Sequence, residues 1–274
     1  MARKLFCELG PVAYKISVFK GCAMRRLRDA VSGQRFAKTI TSVPLTHCVY
    51  QHASLIRRTL GNVDARLQEN KAVNLALTVP KINGVLIRPG ETFSFWRLAG
   101  NLTAAKGYKE GLTIANTRTS SGIGGGMCQF TNLIHWMILH SPLDIVEHHH
   151  HDGFDLFPDF NRQVPFGTGT AIAYNYLDYR FKNNTNTTYQ LIAYVTDTHL
   201  CGELRAAEEP TVAYHVKAEN EHFTRDNGIV YRNGEVYRTC IDKRSGNTLS
   251  RELVRQNHAQ VLYDTAHLTI TNKE

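Results

Sequence analysis

No run of apolar residues in the 274-residue chain reaches the ~18 to 20 needed to cross a bilayer as a helix, and the mean hydropathy is −0.30. A helical membrane span is therefore excluded. Proline is scarce at 8 residues, and with 20 glycines and 42% hydrophobic content the chain is neither collagen-like nor disordered. Six cysteines, at 7, 22, 48, 128, 201 and 240, contain no CxxC pair, which removes the common zinc and dithiol motifs. A glycine run at 124–126 lacks the Lys-Ser/Thr that would make it a nucleotide-binding loop. Acidic residues are almost missing from positions 1–60, where 11 Lys/Arg meet only Glu8 and Asp29; the rest of the chain carries 21 against 22. The net charge of +8 is thus a property of the N-terminal segment and not of a recognition face across the fold, so no nucleic-acid partner is expected.

What is present fits one sizeable domain with an appendage. Residues 1–58 interleave Tyr14, Ile16, Val18, Phe19 and Met24 with Lys15, Lys20, Arg25, Arg26 and Arg28, and read as one or two short amphipathic helices. The expected arrangement packs their apolar side on the main domain and leaves the basic side in solvent. The alternative is attachment to an anionic membrane surface. Glu8, Lys15 and Lys20 interrupt any secretory core, so the expectation is a cytoplasmic protein, at most peripheral at the inner membrane face. Free thiols follow as the default, most of them small buried hydrophobes.

Beyond the basic segment, 62–83 reads as a helix capped by Asp64, with Leu67, Val73, Leu75, Ala76 and Leu77 as its apolar surface. Period-two patterning then predicts strands at 84–87, 91–96 and 112–118, with a loop at 119–126. Residues 127–140 are apolar nearly all round and predict a buried central helix stopped by Ser141-Pro142. Strands are expected at 145–149, 170–176, 179–182, 189–196, 203–206, 211–217, 229–232, 235–241 and 260–265, with Asn233-Gly234 as a two-residue hairpin turn. The fold class is α+β: a mostly antiparallel sheet packed on a buried helix, with a helical N-terminal segment. The boundaries expected are 1–58, 59–208 and a β-rich extension at 209–274.

Gly124-Gly125-Gly126-Met127-Cys128-Gln129 places a cysteine in the first turn of that buried helix. Free N–H groups and the positive helix end there should lower the thiol pKa, and the glycines can turn N–H groups toward a substrate. The competing reading is a turn that needs glycine dihedrals, followed by a buried cysteine. His135 lies seven residues on, ~10 Å along the axis, and is a poor base for Cys128. The tract Glu147-His148-His149-His150-His151-Asp152 can return beside the helix; in a strand His149 and His151 share one face and His148 and His150 the other. No cofactor is implied. A metal site would need ligands whose spacing the sequence does not supply.

Three separated runs now fall into one pattern: Gln68-Glu69-Asn70-Lys71 through Gly90-Glu91-Thr92-Phe93-Ser94-Phe95-Trp96, then the glycine–cysteine run, then Arg180-Phe181-Lys182-Asn183-Asn184-Thr185. Over roughly residues 50–205 the chain resembles the VanW family, bacterial proteins that take their name from an accessory protein encoded with glycopeptide resistance genes. The resemblance implies a link to peptidoglycan metabolism and glycopeptide resistance. It also implies a cysteine acyltransferase of the L,D-transpeptidase type, with Cys128 as nucleophile, His151 in the place of a downstream family histidine and His149 as its neighbour. Gly124, Gly125, Gly126 and Gln129 would meet the substrate, a peptidoglycan stem peptide or lipid-linked precursor. The alternative it carries is a non-catalytic module that binds a wall precursor or the membrane face. Where many relatives have an Arg-Asp pair, this chain has Gly167-Thr168-Gly169-Thr170, so a third orienting carboxylate is missing there.

Overall fold

A computed structural model describes residues 5–58, 64–115, 118–159 and 163–272. In chain order the elements are α1 (Pro11–Val31), β1 (Arg35–Phe36), β2 (His47–Leu55), α2 (Ala65–Thr78), β3 (Val85–Ile87), β4 (Glu91–Ser94), α3 (Phe95–Ala99), β5 (Glu110–Ala115) and β6 (Arg118–Ile123). There follow α4 (Met127–Leu139), β7 (Asp144–Glu147), β8 (Phe154–Asp155), β9 (Arg180–Lys182), β10 (Tyr189–Val195), β11 (His199–Ala206), β12 (Val212–Asp226), β13 (Ile229–Asp242), β14 (Thr248–Val261) and β15 (Ile270–Asn272). The class is α+β and most strand pairs are antiparallel, as the patterning predicts.

Helix α4 is the core. Phe130, Leu133, Ile134, Met137 and Ile138 are wholly or almost wholly buried, because the helix is apolar on every side and lies on the sheet of order β2-β11-β10-β3. Gly202 of β11 makes the approach possible: a Cβ there would stand 2.7 Å from Met137 Cε and 3.0 Å from Leu133 Cδ2. A second sheet, β1-β4-β9-β7, closes the other side of the core, where Phe93 and Phe181 stack at 4.7 Å and Phe95 meets Phe130 edge-on at 5.7 Å.

Arg180, at the start of β9, is the polar centre of this second sheet. Its Nη1 and Nη2 donate to Asp29 of α1 at 2.7 and 2.9 Å, and its Nε to Asp178 at 2.7 Å. Arg25 of α1 forks onto Glu147 at the end of β7, and Arg97 of α3 reaches Asp29 at 3.4 Å. Three arginines thus meet three carboxylates. Burial would raise the pKa of Asp29 and Glu147, but Arg180 and Arg25 respectively hold both below the usual carboxylate range. Asp178 also accepts from Ser94 Oγ at 2.5 Å and from the Trp96 N–H at 3.1 Å, and so fixes the turn from β4 into α3.

Several sequence expectations change here. Among the described residues of 1–58 there is one α-helix, within the one or two expected, and there are also two strands, of which β2 is an outer strand of the core sheet. The apolar side of α1 faces outward, since the helix is tied to the body by Arg25 and Asp29; only Cys240 of the six thiols is buried. Residues 95–99 turn helical because Ser94 caps them, accepting from the Arg97 N–H. The expected loop at 119–126 is largely β6, hairpinned to β5, and 170–176 is not a strand. The opening residues of the helix expected at 62–83 lie outside the described residues; Asp64 does cap it, accepting from the Arg66 N–H at 2.8 Å.

The long C-terminal sheet, β15-β12-β13-β14-β8, takes its last strand from residues 154–155. Asn233-Gly234 sits inside β13, opposite a bulge between Glu219 and His222 of β12. The turn is made instead by Asn227-Gly228, whose φ values of +47° and +80° are those of a type I′ hairpin. The closing strand expected at 260–265 is the end of β14, and β15 follows later.

Removing one partner from the arginine–carboxylate cluster leaves buried charge uncompensated. Asp29→Ala is expected to lower the unfolding free energy by about 3 kcal/mol, near the low end for a broken buried pair because Arg180 keeps Asp178. Urea unfolding followed by tryptophan fluorescence reads this; an unchanged midpoint would mean that α1 contributes nothing to the body.

Candidate functional site

The site forms where β6 turns into α4. Gly124 and Gly126 have φ of +75° and +95°, and side chains at Gly125 and Gly126 would collide with the Gly111 backbone and the Lys71 stem. The Gly124 N–H donates to Lys109 O and the Gly125 N–H to Gly122 O, both at 3.0 Å. Those two donors are used inside the fold and not toward a substrate, and dihedrals with close packing call for glycine at these positions. Gln129, also expected to meet substrate, gives its Nε2 to Ser54 Oγ at 3.0 Å and Leu55 O at 2.9 Å, and holds the end of β2 against α4.

Cys128 is the second residue of α4 and half-buried. Burial outweighs the helix end and pushes its thiol up, although the N–H groups of Ile172 and of Cys128 itself act the other way. The direction is opposite to the lowered thiol pKa expected from the helix end. His151 comes nearest, with Nε2 4.0 Å from Sγ. Burial lowers the His151 pKa despite the adjacent Asp152. The pair is therefore a neutral thiol beside a neutral imidazole. The Gly167–Thr170 stretch supplies hydroxyl and amide contacts in place of a carboxylate: Thr170 gives its N–H and its hydroxyl to Asn132 Oδ1 at 2.7 and 2.8 Å, close to the Cys128 carbonyl.

The histidine tract leaves strand geometry after Glu147 but keeps part of its alternation. His148 and His150 lie ring to ring at 3.9 Å, and His148 meets His135 of α4 at 4.0 Å. His149 turns the other way: its Nε2 is 3.0 Å from Glu147 Oε1, and its carbonyl accepts the Ala171 N–H at 2.7 Å. His149 is thereby removed from the thiol, and only His151 of the expected pair reaches it. His135, the poor base, is bonded to Tyr179 Oη at 3.1 Å, and its Nε2 has no partner. Burial, then the neighbouring imidazoles, push His148 down to about 4 and His135 well below its usual value; burial, then Arg255, pushes His150 down to about 4. Among the described residues no three His, Cys, Asp or Glu groups converge as metal ligands.

One contributor is not anticipated from sequence. The inward face of α2 carries Gln68, Lys71, Asn74 and Thr78, all buried, beside Leu75, which is buried as expected; Leu67 and Val73 are half-buried, and Ala76 and Leu77 are exposed. Asn74 donates to Gly125 O at 3.0 Å and Lys109 O at 2.9 Å, which clamps the glycine turn from below. Lys71 packs its stem on Gly126 and donates to Gln68 Oε1 at 2.7 Å; burial, with Arg58 and Arg57, pushes its pKa down to about 8. The signal was the 3-3-4 spacing of polar residues, which puts them on one helical face.

Residues 70–205 match the family described as VanW like protein. The chain is 32% identical over 228 residues to the vancomycin B-type resistance protein VanW of Enterococcus faecalis, covering 83% of this chain and 82% of that protein. It is 30% identical over 121 residues to the uncharacterized protein YoaR of Bacillus subtilis, 43% of this chain and 37% of that one. No solved structure gives a significant match.

Two outcomes follow from the site's buried neutral groups. Alkylation of Cys128 should rise with pH through an apparent pKa above the ~8.5 of a free cysteine, as read by mass spectrometry of iodoacetamide-treated folded protein; a midpoint below 7 would show that the helix end dominates. The second concerns stability in mild acid. His135, His140, His148 and His150 stay neutral in the fold, whereas an unfolded histidine binds a proton below about 6.5, so unfolding takes up protons and stability falls as pH drops from there toward about 4. Buried His140 alone, at about 4, accounts for about 2 kcal/mol by pH 5. Urea midpoints that do not differ between pH 7.5 and 5 would contradict this.

Proposed function

The chain belongs to the VanW family, and from that premise we propose that it serves glycopeptide resistance by acting on the peptide of a cell-wall precursor, with Cys128 and His151 as an acyl-transfer pair. The observation that carries this reading is the 4.0 Å approach of His151 Nε2 to Cys128 Sγ at the start of α4. The name of the Enterococcus faecalis relative supports the resistance context.

The chemistry matches a pair that rests neutral. His151, unprotonated because it is buried, takes the thiol proton as Sγ attacks an amide carbonyl of the stem peptide. The C–N bond then breaks, His151 returns that proton to the departing amine, and a thioester remains on Cys128. An acceptor amine attacks the thioester, its proton passes to His151, and the thiolate leaves and is reprotonated. No metal and no redox partner enters this balance. Glu147 orients His149 and not His151, so this centre is a dyad.

A second reading is favoured by a specific observation. The Gly124 and Gly125 N–H groups are spent inside the fold and the thiol pKa is raised, an arrangement that suits an accessory module binding a precursor without reacting with it.

The two separate cleanly. Full-length protein incubated with a donor stem tetrapeptide and an acceptor amine, and separately with intact lipid-linked precursor, is expected to gain on Cys128 the donor mass less its leaving amine. Cys128→Ser should abolish the adduct, and His151→Ala should slow its formation by about 100-fold, the lower end for a lost general base. No adduct on wild type, with equal precursor binding by wild type and Cys128→Ser, decides for the accessory role.

A further inference from the structure

Helix α1 is amphipathic in the reverse of the usual sense. Its body-facing side is polar or small: Arg25 and Asp29 enter the arginine–carboxylate cluster, the Cys22 thiol meets Tyr174 O at 3.5 Å, and Gly21 lies against the Tyr176 ring. At about 100° per residue the opposite side is an apolar arc about 140° wide. It holds Val12, Ile16, Phe19, Met24, Leu27 and Val31, which are 52 to 75% exposed. Just before the helix Leu5, Phe6 and Leu9 extend it, at 55 to 64% exposed. A patch this large in water needs a cover.

Charge says which cover. Lys15 and Arg26 flank the arc on one side, Arg28 on the other, and Lys20 lies within it; the helix's single acid, Asp29, is buried against Arg180 and Arg97. A second copy packed face to face would bring these cations together without an exposed helix carboxylate to offset them. An anionic lipid surface offers acyl depth to the arc and headgroup phosphates to the flanking cations. The helix cannot cross a bilayer, since no helix among the described residues is long and apolar enough. A groove of about 640 Å³ beside it, lined by Tyr14, Val18, Phe19 and Tyr174 with Lys15 and Arg26 at its edge, gives further apolar surface at the same level.

We propose that α1 docks this protein in the plane of an anionic membrane surface, its outward apolar face inserted and its lysines and arginines at the headgroups, while Arg25 and Asp29 hold the body on the other side of the helix. The inference stands apart from the acyl-transfer reading: it uses neither Cys128 nor His151.

Flotation of the full-length protein with vesicles of phosphatidylglycerol and phosphatidylcholine, against phosphatidylcholine alone, tests it. Binding is expected only with the anionic vesicles and should weaken as salt rises. Phe19→Ser with Leu27→Ser should reduce the fraction bound at least about tenfold. Thermal unfolding of that variant should match wild type, because both side chains are largely exposed. Lys15→Gln with Arg26→Gln should weaken binding while keeping the apolar face. Equal binding to neutral vesicles, or binding untouched by either pair of substitutions, overturns the proposal. So does a wild-type dimer in sedimentation that Phe19→Ser with Leu27→Ser converts to monomer without any lipid binding, since the occupant is then a second copy.

Discussion

One guanidinium, Arg180, is buried in the sheet that also carries the stacked Phe93 and Phe181, and it must be neutralised there. It draws Asp29 from α1 and Asp178 from the residue pair before its own strand; Glu147 from β7 stands 3.5 Å away and brings Arg25 with it. An unpaired charge in that position would be prohibitive. These segments are far apart in sequence, so the requirement sets tertiary geometry more than any local propensity does. It also explains why α1 presents its apolar side to solvent. The helix is held by ion pairs and hydrogen bonds on its inner side, which leaves its hydrophobic residues no place in the core.

The site inherits its shape from the same cluster. Glu147, fixed by Arg25 and the Asp178 N–H, takes His149 for itself, so the next histidines must turn over. His148 then meets His135 of α4, His150 meets His148, and His151 lands beside Cys128. Asp178 accepts the N–H of Tyr179, whose hydroxyl bonds His135 from the other side. Burial is the leading influence on protonation for thiol and imidazole alike. In the proposed acyl transfer such a dyad would work by proton transfer during the reaction and not through a preformed thiolate.

Much of this was legible in the residues. The all-round apolar character of 127–139 identifies α4, Asp64 its cap on α2, and the cysteine's place behind three glycines its position at a helix start. The failures have physical reasons. Two Asn-Gly pairs compete for one turn, and Asn227-Gly228 wins because Asn220 at φ +53° lets β12 bulge opposite Gly234, so β13 continues straight. The polar face of α2 reads as solvent-exposed because nothing in its own period reveals that Gly125 and Lys109 will come down on Asn74. The helix-end effect on Cys128 is a local expectation, and burial by Thr170–Ile172, more than forty residues away, reverses it. The outward face of α1 is invisible for the same reason: its amphipathicity is plain, but which side meets the body depends on Arg180.

The cluster also bears on where the chain can be divided. The family match begins at residue 70, so it contains Arg180, Glu147 and Asp178 but neither Asp29 nor Arg25. A chain cut at residue 58 or 70 would keep the buried Arg180 and lose the carboxylate that receives both of its terminal nitrogens. It would also lose β2, whose backbone pairs with β11 from His47 to Leu55 and whose end is held to α4 by Gln129. Opening β11 as a bare edge beneath the site's own helix exposes the flank of the core. The N-terminal segment is thus a structural part of the unit that carries Cys128, and the Enterococcus faecalis relative is matched over 83% of this chain, well beyond the family's own span. In this fold the outward helix and the thiol are joined through Arg25, Glu147 and the histidines that follow it.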